Sequence, residues 1–419
     1  MKLPLAISIE NITSINKIIF SILLIEMFLG GSGRFTEITS FFTLRMALWL
    51  TGLSIVSAHI IIYRKVRKNI VIVIAAYLLS MLFSSLLGIV NGVNSTFLFL
   101  DIKQFCFFII ILYFSLSINS ERDIETVVRL LKRSSLILAL LHVTIVFFVV
   151  LDIFNFGQVW YFFNIYATGQ SDIDNPVSNE VFFKGSYGFI YYKGDFYLCV
   201  GLFFWIDSGI KNWKNRISVL VISFAIFLTG TRGFVLMVVL TYLVSWFVNI
   251  KNIKMLLRNK SILALITFVI TCFLLALYIF NLEYSQYIGD KEESDAIRFI
   301  QISQVVDEID FISIIFGHGF GYGIPIRNSH MEIAYLEILH KQGIIGLSLW
   351  LLLLVYIHRL YLLTKGEKFS RPFWLAVLFT YLLSATNPYV NHPLGFTLLS
   401  LCLVVYSVYY KNRQFEGEI

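Results

Sequence analysis

RKVRKNIVIVIAAYLLSMLFSSLLGIV, residues 64–90, decides the fold. Four cations (Arg64, Lys65, Arg67, Lys68) are followed by an apolar run over 69–90 without a single charge. Wound as a helix at about 1.5 Å per residue, that run reaches the roughly 30 Å of a bilayer's hydrocarbon layer. A helix satisfies its own backbone hydrogen bonds, so it can cross where no water is available. The basic cluster beside it marks the cytoplasmic side, because lysine and arginine accumulate in cytoplasmic connections.

Blocks of the same kind recur on both sides of this one. Spans fall near 15–31, 37–63, 69–90, 95–118, 134–156, 189–209, 217–231, 233–250, 261–280, 344–363, 372–390 and 394–410. The pattern predicts an all-α polytopic membrane protein of about 12 transmembrane helices, with residues 1–419 as a single transmembrane domain and a large outer helical loop. Composition agrees: 58% of the 419 residues are hydrophobic and only 14% charged, with mean hydropathy +0.79. Soluble chains carry about a quarter of their residues as charges, so soluble classes are excluded. The N-terminal apolar run lacks a small-residue cleavage site and reads as a retained first span. The 217–231 run is short, and with 233–250 it predicts a tight hairpin.

Alternating the spans from a cytoplasmic N-terminus places most of the 33 lysines and arginines inside. Only Arg34, Arg45, Lys103, Lys184, Lys193, Arg232, Lys291, Arg298, Arg327 and Lys341 fall on the outer side. Both termini are therefore expected in the cytoplasm. The net charge of +7 follows from this topology and does not call for a nucleic-acid partner. Cys106, Cys199, Cys272 and Cys402 lie within spans, without metal-ligand spacing, and read as small buried hydrophobes.

Chain length is invested in two outer loops, 157–189 and 281–343. The second contains DKEESDAIRFIQISQVVDEIDFISIIFG (290–317), whose Ile297, Ile300, Val305, Ile309 and Ile312 fit one apolar face of a surface-lying helix. GHGFGYG (317–323) follows, read either as turn residues or as a phosphate loop. RNSHMEIAYLEILHKQGIIGL (327–347) then predicts a helix ending at Gly343. Ser329 and Glu332 have capping-box spacing, and His330, Ala334, Glu337 and Lys341 share a face.

Each polar residue admits a plain reading beside a functional one. Arg232, in TGTRG (229–233), is a lipid anchor or a ligand-binding arginine. The flanking glycines favour the second, since they suit close backbone approach. Arg298 is a solvated helix residue or an anion ligand, and His330 is a helix cap or a catalytic group. Glu337 stands four residues before Lys341, which favours an ion pair. Lys184 and Lys193, in FKGSYGFIYYKGD (183–195), are interfacial anchors or substrate contacts. Glu26, Arg45, Asp101 and Lys103 are charges within spans. They predict mutual pairing around a polar cavity that opens outward.

Taken in order and spacing, these motifs resemble the superfamily of O-antigen polymerases and O-antigen ligases. TGTRG is similar to that family's small-residue-Ser-Arg-Gly turn, with threonine here in the serine position. DAIRFIQI (295–302) looks like its loop arginine. GHGFGYG with the following histidine and Gly-x-x-Gly ending is the strongest match, although His330 is followed by Met331 instead of the frequent asparagine. The earlier outer loop carries Lys184 and Lys193 where many relatives have arginine.

The resemblance implies glycosyl transfer in a bacterial cytoplasmic membrane, from an undecaprenyl-diphosphate-linked glycan donor to a glycan acceptor. No cofactor, nucleotide sugar or metal is implied, and a chain-length regulator protein is a further candidate partner. Arg232 and Arg298 would hold the diphosphate, with His330 as base or acceptor-positioning residue. Arg327, Lys184, Lys193, Glu337 and Arg45 would bind substrate. Guanidinium forks match phosphate oxygens, and an imidazole titrating near neutrality suits proton transfer from a hydroxyl. Polymerisation of lipid-linked repeat units is the first reading. Ligation of finished polymer to lipid A core, and transport of lipid-linked glycan, are the alternatives.

Overall fold

The computed structural model describes residues 9–33, 37–39, 42–63, 67–168, 180–184, 189–209, 211–249 and 291–416. The expected span 261–280, the basic segment 251–260, Arg34 and Cys272 lie outside the described residues. The chain is mostly helical. Its helices are α1 (Ile9–Leu29), α2 (Leu44–Tyr63), α3 (Lys68–Val90), α4 (Ser95–Ser117, with a 3-10 turn at Phe107–Ile110), α5 (Glu121–Val150), α6 (Phe156–Tyr161) and α7 (Phe196–Asp207). There follow α8 (Trp213–Leu228), α9 (Arg232–Asn249), α10 (Lys291–Glu308), α11 (Phe311–Phe316), α12 (Ala334–Leu363), α13 (Ser370–Leu383) and α14 (Pro393–Glu416). The described residues also form two small antiparallel hairpins: β1 (Glu37–Thr39) with β2 (Phe42–Thr43), and β3 (Val181–Lys184) with β4 (Phe189–Tyr192).

Among the described residues, α2, α3, α4, α5, α12 and α14 are long and apolar enough to cross a membrane, while α9 and α13 are shorter apolar helices. Every expected span within the described residues contains a helix. Boundaries differ where polar chemistry intervenes. Helix α5 starts at Glu121 instead of 134, because Ser120 and Asp123 form a capping box and Ile124, Val127, Val128 and Leu131 bury one face of a polar first half. The expected span 37–63 begins as a hairpin, and 189–209 begins as strand β4 and a turn.

Helices α7, α13 and α14 form the centre, buried along nearly their whole length. Around them, α5 packs on α1, α7 and α8, while α9 packs chiefly on α13 instead of closing onto α8. The outer surface is apolar: Leu79, Leu86, Ile89 and Val90 on α3, Leu140, Leu141 and Phe147 on α5, and Leu352 and Val355 on α12 are all exposed. So much contiguous exposed hydrocarbon needs lipid as its solvent.

Charges separate to the two ends of this bundle. At one end Lys368 pairs with Glu125 at 2.8 Å, Arg413 with Glu367 at 2.9 Å, and Arg67 donates to Ile118 O at 2.6 Å. The other end holds the 317–343 segment, the β3–β4 hairpin, the start of α9 and the α13–α14 connection.

Candidate functional site

At that second end lies a cavity of about 670 Å³. Phe182, Phe183, Tyr191 and Lys193 line it from the β3–β4 hairpin, Thr231 from the turn before α9, and Ile297 and Arg298 from α10. Glu332 and the connection residues Asn387, Tyr389 and His392 complete the wall. The volume fits a substantial organic ligand, and the lining mixes aromatic faces with cations. The hairpin is fixed by Asn164, whose amide both accepts from Val181 N and donates to Val181 O at 3.0 Å. Tyr191 and Tyr389 touch through their hydroxyls at 2.8 Å.

Beside the cavity a buried charge network is built around Lys341. Its ammonium lies 2.9 Å from the Asp101 carboxylate and 2.8 Å from Glu337 Oε1, and also donates to Ser329 O. All three charged residues are 2–3% exposed. Asp101 further accepts from Gly321 N at 2.6 Å, and Glu337 Oε2 accepts from Asn391 Nδ2 at 3.0 Å. His330 Nδ1 stands 3.2 Å from Glu337 Oε1 and 3.6 Å from Asp101 Oδ1. Two carboxylates on one side of the ring place the proton on Nδ1 and leave Nε2 as the acceptor nitrogen. That tautomer is inferred from its partners. Asp101, His330 and Glu337 offer ligand atoms within 4.8 Å of one another. Lys341 already bridges the two carboxylates, so a divalent ion would have to displace a buried ammonium.

Glu332 bridges two arginines: Arg298 Nε at 3.2 Å and Arg327 Nη2 at 2.7 Å. Its backbone N–H donates to Gln301 Oε1 at 3.0 Å, which ties the segment to α10. These contacts explain why the capping box expected at Ser329–Glu332 does not form. Ser329 serves Lys341, Glu332 serves the arginines, and the helix begins at Ala334, not 327, with Ile333 in the cap position. Gly343, at φ +64°, interrupts that helix as expected, but the chain resumes helical geometry to Leu363.

The GHGFGYG stretch is a docking loop. His318 N donates to His340 O at 2.8 Å, Gly319 N to Lys341 O at 3.0 Å and Phe320 N to Ser84 O at 2.8 Å. With Gly321 N on Asp101, these backbone donors are all spent inside the protein, so the phosphate-loop reading fails. At Gly319, φ is +92° and a Cβ would collide with the Gly88 backbone of α3.

The residues expected at the site divide as follows. Arg298 and Lys193 line the cavity. Arg327 pairs with the lining residue Glu332, and Glu337, which holds His330, is tied to the wall through Asn391, the neighbour of His392. Arg232 opens α9 immediately after the lining residue Thr231. Gly230, at φ +61°, supplies the turn there. Gly233 has ordinary space for a side chain, so the close approach expected from both glycines is not needed at the second. Arg45 lies in a separate buried hub, with Nε 2.7 Å from Glu26 Oε2 and Nη1 donating to Gly31 O. The expected pairing of intramembrane charges holds for Arg45 with Glu26, whereas Asp101 pairs with Lys341 across the bundle. Lys184 ends strand β3, and its side chain lies outside what is described. Cys199 and Cys402 are buried and Cys106 half-buried, all as free thiols.

Sequence reasoning missed the α13–α14 connection. Asn387 and Tyr389 were expected inside the span 372–390, whereas the helix ends at Leu383, and Asn391 and His392 fell between two expected spans. The signal available was NPYVNHP (387–393) itself, unusually polar and proline-bounded for so short a connection. His392 sits immediately before Pro393, the first residue of α14, and its Nδ1 accepts from Leu394 N at 3.4 Å. Burial pushes this imidazole well below its usual pKa, and the positive neighbours Lys193, His330 and Arg45 add to that, against Glu337.

Set against known proteins, this architecture has kin. No protein-family profile matches the chain. A protein named O-antigen polymerase, from Shigella flexneri, is 25% identical over 413 residues, spanning 97% of this chain and 98% of that relative. The chain is similar to that O-antigen polymerase along nearly the whole length of both. The resemblance drawn from the outer motifs to the O-antigen polymerase type is thereby borne out. The similarity runs nearly end to end, through helices and cavity-building segments alike.

Proposed function

We propose that the chain polymerises glycan repeat units carried on undecaprenyl diphosphate, at the outer face of the bacterial cytoplasmic membrane. The observation that carries this reading is the cavity wall. Arg298, Lys193 and His392 line it, and Glu337 joins that wall through Asn391 while holding His330 at 3.2 Å. The growing glycan on its carrier is the donor, and a sugar hydroxyl of the next lipid-linked unit is the acceptor. A diphosphate is a competent leaving group, so the protein must stabilise its charge and receive one proton. Arg298, Lys193 and Arg232 at the N-terminus of α9 supply the positive field, reinforced by the helix dipole. His330 Nε2 receives the hydroxyl proton, and Glu337 and Asp101 hold the imidazolium that results. Aromatic faces from Phe182, Tyr191 and Tyr389 give the sugar rings and isoprenoid an apolar wall.

The orientation proposed has both termini in the cytoplasm, with loops 157–189 and 281–343 outside. It is supported by the segregation of the short basic connections to the end opposite the cavity. The polymerase reading is favoured over ligation by the name of the full-length relative.

The test is single replacement of Arg232, Arg298 and His330 by Ala in the native host, with membrane expression confirmed and surface glycan resolved by gel. Loss of a transition-state anion contact costs about 10²–10³ in rate, enough to collapse long chains to single repeat units on the core. Carrier-linked polymer accumulating beside bare core would instead mean a ligase. Normal chain lengths in all three variants would overturn the catalytic proposal.

A further inference from the structure

The α13–α14 connection carries none of the outer-loop motifs, yet Asn391 ties it to the network around Lys341. Glu337 divides its carboxylate between two imidazole-bearing segments: Oε1 faces His330, and Oε2 accepts from Asn391, the neighbour of His392. His392 lines the cavity. Its Nδ1 is committed to the N-terminus of α14 through Leu394 N at 3.4 Å. A ring nitrogen that accepts a backbone N–H carries no proton, so the ring proton is on Nε2. The cap therefore fixes a tautomer whose other face is a hydrogen-bond donor.

We propose that His392 is a second catalytic imidazole, whose Nε2–H binds an oxygen of the donor's diphosphate and stabilises it as it leaves. The inference rests on the glycosyl-transfer reading above and assigns a ligand contact to a residue which that reading does not use. The depressed pKa of this ring agrees with the role. A neutral imidazole adds a donor among Lys193, His330 and Arg45 without adding a further positive charge to repel them. In the transfer step, the acceptor oxygen forms its bond to the anomeric carbon as the bond from that carbon to the diphosphate oxygen breaks. The bonding pair leaves on the diphosphate, and the hydroxyl proton passes to His330 Nε2. His392 keeps its proton throughout, and its hydrogen bond strengthens as charge builds on the departing oxygen.

Two replacements separate this role from simple helix capping. In His392→Asn, the side-chain oxygen takes the place of Nδ1, so the cap is retained, but nothing reaches the position of Nε2. In His392→Gln, the amide N–H reaches the position of Nε2 while the cap is weakened. With the purified protein in lipid vesicles above neutral pH, His392→Asn is expected to keep the wild-type melting temperature and lose about 10²-fold or more in turnover at saturating lipid-linked repeat unit. His392→Gln is expected to recover at least about tenfold of that loss, an ordering that a capping role cannot produce. Undecaprenyl diphosphate itself serves as the binding probe, with wild type binding it more tightly than His392→Asn. Wild-type turnover and wild-type affinity in His392→Asn would overturn the assignment of His392. Failure of the wild-type protein to bind the probe would overturn the transfer reading beneath it.

Discussion

At the scale of single residues, Glu337 fixes the ring of His330. Replacing it by Gln leaves Lys341 paired with Asp101 but puts an amide where a carboxylate stood. If that amide turns its N–H toward His330 Nδ1, the tautomer reverses and Nε2 no longer accepts a proton. By analogy with wrong-tautomer variants of histidine-carboxylate pairs, Glu337→Gln should cut turnover by about 10³–10⁴ with donor affinity little changed. Steady-state kinetics with a binding measurement would show this, and equal loss of affinity and turnover would contradict it. Lys341→Met is a different lesion. It leaves Asp101 and Glu337 buried beside each other without their cation, an arrangement costing roughly 3–5 kcal/mol, readable as a large drop in melting temperature. His392 adds a pH dependence. Its folded-state pKa lies below its unfolded value, so below about pH 6.5 the unfolded chain binds the proton that the folded chain refuses. Stability from this group is therefore present above that pH and lost as pH falls toward the depressed value. His392→Asn should flatten the fall in melting temperature between neutral and mildly acidic pH, and an unchanged slope would count against the shift.

At the scale of elements, the 311–343 stretch is a clip that seats the outer segment on α3 and α12. Gly343 has φ +64° and its Cβ would meet the Ile315 backbone. Gly343→Ala should release α11 and the docking loop while the bundle stays folded. Hydrogen exchange should rise selectively over 311–323, and uniform protection would argue against the clip. The spans, the break at Gly343 and the Glu337–Lys341 pair were legible, because each is a local signal of length, backbone freedom or i,i+4 spacing. The facing of α10 was not. Its apolar residues occupy both sides: Val305 is buried, whereas Ile300, expected on the same apolar face, is exposed together with Phe299, Ile302 and Val306. Periodicity separates inside from outside only where the outside is water. On a membrane-seated helix both faces can be apolar. Arg298 sits on the inward side of that helix, which spacing alone left open. His392 was hidden for another reason, since a cap and a cavity contact look the same from the chain.

At the scale of the whole molecule, the chain partitions its polar groups by end. Among the described residues, the short basic connections collect at one end. The cavity, the Lys341 network and the Arg45–Glu26 pair collect at the other. Cysteine placed at Asn387 should react with a membrane-impermeant thiol reagent added outside intact cells, and cysteine at Lys368 only after permeabilisation. The reverse pattern would invert the proposed orientation. The partition also gathers every catalytic assignment onto one face of the membrane, where a carrier lipid can present its head group to the cavity. The most direct test is turnover by the purified chain in vesicles, supplied only with undecaprenyl-diphosphate-linked repeat units and a metal chelator. The account predicts a ladder of carrier-linked oligomers that disappears in Arg298→Ala and His330→Ala. No ladder from the wild-type protein, or an undiminished ladder from both variants, would contradict it.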